Sequence, residues 1–171
     1  MHILIAVGSR HGSTREIAGC IAKELEGAGH TTVIHNVREK VEVGSYDAAV
    51  IGSAVYMGKW LAEARDFVQR NQAILTTVPV WLFSSGPLTA NDLPKSDPAH
   101  LAELMGESGA REHRNFVGRI DRNDLGRGEK LVMTMVRPPE GDFRDWDSIR
   151  EWAHEIAIGL AANPVGAGAP T

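Results

Sequence analysis

Residues 3–14 read Ile3-Leu4-Ile5-Ala6-Val7-Gly8-Ser9-Arg10-His11-Gly12-Ser13-Thr14, and this stretch decides the fold. A short unbroken apolar run ended by Gly8-Ser9 has the pattern of a strand buried on both faces, the habit of a parallel sheet. The small, polar run Ser9 to Thr14 then feeds a segment from Arg15 to Glu26. There Ile17, Cys20, Ile21 and Leu25 recur at helical spacing until Gly27 and Gly29 stop it. The order is strand, polar loop, helix.

The same alternation continues outward. Thr32 to His35, Ala48 to Ile51, Val78 to Phe83 and Asn115 to Ile120 read as strands. Leu61 to Leu75 reads as a helix with Phe67, Val68 and Leu75 inward. Ala99 to Met105 is a further helix, and Trp146 to Ala161 is the last, opened by Asp145 or Asp147 at its cap. Strands separated by helices imply right-handed crossovers and a five-stranded, doubly wound parallel sheet with helices on both faces.

Two stretches break the rhythm. Thr89 to Pro98 reads as a surface loop, and Arg122 to Arg144 as an insertion before the last helix. Within the insertion, Leu131-Val132-Met133-Thr134-Met135-Val136 has the pattern of a strand extending the sheet, bracketed by Glu129, Lys130 and Arg137. Residues 1–162 are expected to form one domain, with 163–171 a Gly/Ala/Pro tail expected to be flexible.

At 171 residues, 43% hydrophobic and 23% charged, with a mean hydropathy of −0.18, the chain has the composition of a globular domain with a real core. A net charge of −4 supplies no broad cationic field, so nucleic acid is not an expected partner. The single cysteine, Cys20, excludes an internal disulfide or a multi-thiolate metal site, and no histidine has metal-ligand spacing; no metal is expected. Cys20 falls on the inward stripe of its helix and reads as core. The cytoplasm is the expected location, with no segment approaching the ~20 apolar residues of a spanning helix.

In open α/β sheets ligands bind beyond the carboxyl ends of the strands. Three loops are therefore candidates. Ser9 to Thr14 has three hydroxyls, a glycine and no carboxylate, and precedes a helix N-terminus, which suits a phosphate; Ser and Thr also serve as plain helix caps. The dinucleotide glycine fingerprint is missing, the second strand ends His35-Asn36 without a carboxylate, and no Gly-Lys-Ser/Thr occurs. Gly52-Ser53 stands where a phospho-accepting receiver would have its aspartate. The loop Ser53-Ala54-Val55-Tyr56-Met57-Gly58, followed by Lys59-Trp60, has the aromatics and methionine that suit a flat polarizable ring, although Tyr56 and Trp60 could equally pack the next helix. Ser84-Ser85-Gly86-Pro87-Leu88 is placed to close the ring's other side.

Ser9-x-His11-Gly12-Ser13-Thr14 resembles the phosphate loop of flavodoxins, usually Ser/Thr-x-Thr-Gly-x-Thr. The order of elements is similar, over nearly the whole chain, to the flavodoxin-domain family, in particular its menaquinone-dependent protoporphyrinogen IX oxidases. Further echoes are Arg15-Glu16-Ile17-Ala18, Val50-Ile51-Gly52-Ser53-Ala54, Asp145-Trp146, and Trp152-Ala153 with Glu155-Ile156.

The resemblance implies a flavodoxin-like fold and FMN as cofactor. Ser9, Arg10, His11, Gly12, Ser13 and Thr14 would hold the phosphate, while Ser53, Ala54, Val55, Tyr56, Met57 and Gly58 with Ser84, Ser85, Gly86, Pro87 and Leu88 would flank the isoalloxazine. No side chain is then catalytic, because the chemistry resides on the flavin. The implied function is an FMN-dependent oxidoreductase passing electrons to an organic acceptor such as a quinone, with a porphyrinogen as one donor; a non-enzymatic electron carrier is the alternative. His11 and Tyr56-Met57 depart from the family pattern, the latter standing where the oxidases have a basic–aromatic pair. Peripheral attachment to the inner face of the membrane through Leu131 to Val136, and a homodimer, belong to the same set of expectations. Arg111, Arg114, Arg119, Arg122 and Arg127 read either as a solvated face or as a site for an acidic substrate or anionic headgroups.

Overall fold

The computed structural model describes residues 1–86, 97–120 and 141–162. The expectations for Pro87 and Leu88, most of Thr89–Pro98, Arg122, Arg127, Leu131–Val136 and the tail 163–171 fall on residues outside that set.

Strand β1, His2–Gly8, is an inner strand of the sheet, with β2, Thr31–Asn36, on one side and β3, Ala48–Tyr56, on the other. The hairpin strand β4, Lys59–Trp60, pairs antiparallel with the end of β3. Beyond β3 come β5, Val80–Gly86, and β6, Glu112–Val117, so the parallel order is β2-β1-β3-β5-β6. This is the five-stranded doubly wound sheet expected from the alternation. A two-stranded ribbon, β7 (Arg119–Ile120) with β8 (Gly141–Asp142), stands off it.

The helices divide between the two faces as the strand pleat demands. Ile3, Ile5 and Val7 of β1 point to α1, Ser13–Gly27, and α4, Trp146–Ala162, where Ile17, Ile21, Trp152 and Ile156 are fully buried. Leu4 and Ala6 point the other way, into the layer that holds α2, Ala62–Leu75, and α3, Pro98–Ser108, with Phe67, Val68, Leu75 and Leu104. Each such apolar side chain contributes about 1.5–3 kcal/mol through removal from water. Pro98 sits in the first turn of α3, where its missing N–H has no partner to lose, and Asp97 Oδ1 accepts the Ala99 amide. Asp145, rather than Asp147, caps α4 by accepting the Ser148 amide at 3.0 Å.

Three boundaries differ from those the sequence predicts. β3 runs five residues beyond Ile51 because the antiparallel partner Lys59–Trp60 extends its pairing through Val55 and Tyr56. β5 continues through Ser84, Ser85 and Gly86, whose small polar character looks like a loop but whose backbone pairs with Ala54 and β6. β6 begins earlier and stops at Val117. Gly118 then diverts the chain into the ribbon, so Arg119 and Ile120 do not belong to the sheet.

Candidate functional site

The predicted site residues among those described lie at the carboxyl ends of β1, β3 and β5, and the structure joins them through two contacts. Ser13 and Ser85 approach one another around Gly118. A Cβ at that glycine would stand 3.2 Å from Ser85 Oγ, 3.4 Å from Gly86 O and 3.5 Å from Ser13 Oγ, so any side chain there would fill the junction. Ser13 Oγ also accepts the Arg119 amide at 3.0 Å, and the Gly118 amide donates to Gly86 O at 2.9 Å. On the other flank the Arg10 guanidinium lies 4.9 Å from the centroid of the Tyr56 ring, linking the first loop to the second by a cation–π contact.

The loop Ser9 to Gly12 is shaped by local hydrogen bonding. Ser9 Oγ accepts the Gly12 amide at 3.1 Å, and Gly12 adopts a left-handed conformation, φ 83°, which glycine takes without a Cβ penalty. The N-cap position of α1 is Gly12, which has no side chain to cap the helix. Its first intrahelical bond runs from the Glu16 amide to Gly12 O, so the amides of Ser13, Thr14 and Arg15 precede the ladder and face the helix's positive end. The serines and threonine of this loop therefore do not serve as plain caps. Thr14 is itself buried.

Several predicted residues hold the loops in place. Ser53 Oγ donates to Ala54 O at 2.9 Å and accepts the Leu61 amide at 3.1 Å; it is fully buried, as is Ser84. Val55 and Ser85 are buried too, whereas Arg10 and Met57 are exposed and His11, Ala54, Tyr56 and Gly58 are intermediate. Met57 (φ 49°) and Gly58 (φ 79°) form the two-residue turn between β3 and β4, both left-handed as the twist of a tight hairpin requires. Gly58 O accepts the Asp97 amide at 2.7 Å, fixing the turn to the start of α3.

Residues outside the predicted set complete the site. The Trp60 indole Nε1–H donates to Ser84 Oγ at 2.7 Å, and Ser84 Oγ lies 2.8 Å from His113 Nε2; the Trp60 amide donates to His100 Nε2 at 3.3 Å. Burial pushes the His113 imidazole down to about 4, with Glu112 opposing, and burial lowers His100 as well, helped by Arg65. Both rings are neutral near pH 7. His100 is buried and His113 partly buried, and their convergence on one tryptophan has no signature in a single sequence.

The arginines are engaged locally. Arg111 lies over Trp81 and donates to Gly159 O, Arg114 pairs with Glu112 and Glu155, and Arg119 stands 3.7 Å from Glu16. Arg144, 4% exposed, donates to Glu16 and Asp142 and lies over Trp146. Arg111, Arg114, Arg119 and Arg144 thus each engage named partners in ion pairs or stacks. Cys20 is half-buried against the first core layer, and burial pushes its thiol up. Among the described residues no group of three His, Cys, Asp or Glu side chains could hold a metal, and no helix is long and apolar enough to cross a membrane.

The family model for the flavodoxin domain matches residues 4–147, from the first strand to the start of α4. The chain belongs to the flavodoxin-domain family. This flavodoxin domain is 25% identical to the protoporphyrinogen IX dehydrogenase [quinone] of Escherichia coli, covering 92% of this chain and 95% of the relative. Its fold is similar to that of a flavodoxin from the domain Archaea, with a TM-score of 0.66 and 16% identity over 94% of this chain and 99% of the other. It is also similar to part of the rubredoxin:oxygen oxidoreductase of Desulfovibrio gigas, with a TM-score of 0.61 and 15% identity over 94% of this chain and 36% of that one.

Proposed function

We propose that this flavodoxin domain binds FMN and is an oxidoreductase that passes electrons between the flavin and an organic acceptor such as a quinone. The observation that carries the reading is the junction at Gly118. It brings Ser13, at an α1 N-terminus without a side-chain cap, against Ser85 and Gly86 at the end of β5. A phosphate fits that chemistry, because backbone amides and hydroxyls supply donors and the helix end supplies partial positive charge. The relative from E. coli, named as a quinone-dependent dehydrogenase, supports the enzyme and the quinone over a carrier, with a porphyrinogen as one donor to test.

Each loop has a distinct task in this reading. The amides of Ser13, Thr14 and Arg15, with the hydroxyls of Ser9 and Ser13, would hold the phosphate. Ser53 and Ser84 would not reach for the ring with their hydroxyls, which are committed to Ala54, Leu61, Trp60 and His113. They would keep the strand ends rigid, so that the backbone of Ala54 to Gly58 and the side chains of Tyr56 and Met57 present one fixed wall. When bound, FMN supplies the electron-transfer chemistry.

The test is an anaerobic titration with FMN, followed by photoreduction and addition of a quinone. Tight binding with a perturbed flavin spectrum and rapid reoxidation by the quinone is the expected result. Absence of any spectral change up to millimolar FMN would remove the reading, and a bound flavin that is reduced but reoxidised only slowly by the quinone would replace the enzyme with a carrier.

A further inference from the structure

We propose that His100 and His113 are positioning residues for the β3–β4 hairpin, one accepting the backbone N–H of Trp60 directly and the other receiving its indole N–H through the Ser84 hydroxyl. The consequence for a bound ring rests on the FMN reading; the hold on the hairpin does not.

The geometry begins with a problem in sheet structure. A hairpin with a single short partner strand of two residues, Lys59–Trp60, has little pairing of its own to keep it closed. Its turn contains a non-glycine residue in the left-handed region, Met57, whose exposed side chain adds no packing. Something else must hold it. Trp60 is 3% exposed, and its two N–H groups need acceptors in a place water does not reach.

Those acceptors come from two elements on opposite sides. His100 is on α3 and offers Nε2 to the Trp60 amide. His113 is on the edge strand β6, and its Nε2 is linked to the indole through Ser84 in the middle of the sheet. In the order proposed, the indole N–H donates to Ser84 Oγ and the Ser84 O–H donates to His113 Nε2. Each histidine then carries its proton on Nδ1, and each must be neutral to accept. The burial that depresses both imidazoles keeps them so. The groups facing them are Glu112 for His113, and Arg65 of α2, Lys59 of β4, and Asp97 and Glu103 at α3 for His100. Protonation of either ring turns an acceptor into a second donor, and the hairpin loses that anchor.

The experiment is amide hydrogen exchange by NMR on the full chain without ligand, comparing wild type with His113→Leu and His113→Gln, and with FMN affinity measured in parallel. In His113→Leu the amides of Val55, Tyr56 and Lys59 are expected to exchange about tenfold faster while those of Leu4 and Ile5 in β1 keep their protection, the effect of one buried hydrogen bond lost locally. The Trp60 indole N–H resonance, assigned by its loss in Trp60→Phe, is expected to move. His113→Gln, which retains an acceptor, is expected to return both toward wild type.

Equal acceleration in β1 and the hairpin, or none in either, would overturn the proposal. Should His113→Leu not fold, wild type alone decides. After correction for intrinsic exchange, lowering the pH to about 4 is expected to release the hairpin ahead of β1, and simultaneous release would overturn the proposal. A wild-type chain that binds no FMN defeats the proposed function and leaves this result standing. If FMN does bind, its dissociation constant is expected to rise about tenfold in His113→Leu and to recover in His113→Gln, as a loosened wall for the ring requires.

Discussion

Arg144 holds Glu16 across 128 positions of sequence, with Nη1 2.5 Å from Oε2, while its guanidinium also grips Asp142 and lies 4.4 Å from the centroid of Trp146. Glu16 is in the first turn of α1, where a carboxylate is favoured by the helix dipole and would repel a phosphate arriving at the same end. Arg144 neutralises it. In Arg144→Ala, stability is expected to fall by about 1–2 kcal/mol, less than for a fully buried pair because Glu16 and Asp142 are half exposed. FMN affinity is expected to fall with it, and Glu16→Gln in the same chain to restore the affinity. Urea unfolding and flavin titration read the two effects separately, and an affinity indifferent to Arg144→Ala would show that this carboxylate does not feel the phosphate.

Two glycines make opposite predictions from the same chemistry. Gly52 lies under the Phe83 ring, which occupies the volume where a Cβ would be, and Phe83 in turn packs against Phe116 and Trp152 in the buried layer. Gly52→Ala is expected to destabilise by about 3 kcal/mol, since the obstacle is a core ring that cannot swing away. Gly118→Ala meets the hydroxyls of Ser85 and Ser13, which can shift by a few tenths of an ångström. A smaller loss of about 1 kcal/mol is expected there, with a disproportionate loss of FMN binding. Thermal unfolding with and without FMN separates the two.

The first strand, its polar loop and the helix after it were readable because buried parallel strands are continuously apolar and helices repeat at 3.6 residues. Ser84-Ser85-Gly86 hid its strand character because the pairing partners that order it, Ala54 and β6, are distant in sequence. Residue types placed Ser9 to Thr14, Ser53 to Gly58 and Ser84 to Gly86 at the carboxyl end of the sheet, since that follows from topology. Which side chains face the site and which pin the backbone depended on partners such as Leu61, His100 and His113, and no periodicity announces those. Gly118 went unnoticed for the same reason. Its requirement comes from Ser13, more than a hundred residues earlier.

The pH dependence of stability follows from His113. Its folded-state value, pushed down to about 4 by burial, lies below the ordinary 6.5, so as pH falls the unfolded chain takes up a proton that the folded chain refuses. The stability contributed by the neutral ring is complete above about 6.5, drains between 6.5 and 4, and falls no further below the folded value. His100, lowered in the same direction, adds to this window. Urea midpoints between pH 7 and 4 are expected to decline more steeply for wild type than for His113→Gln, which has no proton to gain. Parallel slopes would show that His113 is not what titrates.

The Met57–Gly58 turn poses the sharpest conflict between folding and use. A tight hairpin turn with both central residues left-handed is best served by Asn-Gly; methionine there carries a cost of about 1–2 kcal/mol, and its fully exposed side chain recovers none of it through packing. Nothing among the described residues rewards methionine at this position. A flat ring held against the Ala54 to Gly58 wall would, because a flexible, polarizable thioether adapts to an aromatic face. Met57→Asn is therefore expected to raise the stability of the ligand-free protein by about 1 kcal/mol, seen as a higher urea midpoint at unchanged slope. The same substitution is expected to weaken FMN binding severalfold and to alter the flavin's visible spectrum. A variant that gains stability with FMN affinity and spectrum intact would place Met57 away from the ring, leaving the backbone of the turn as the only part of the hairpin tip that meets it.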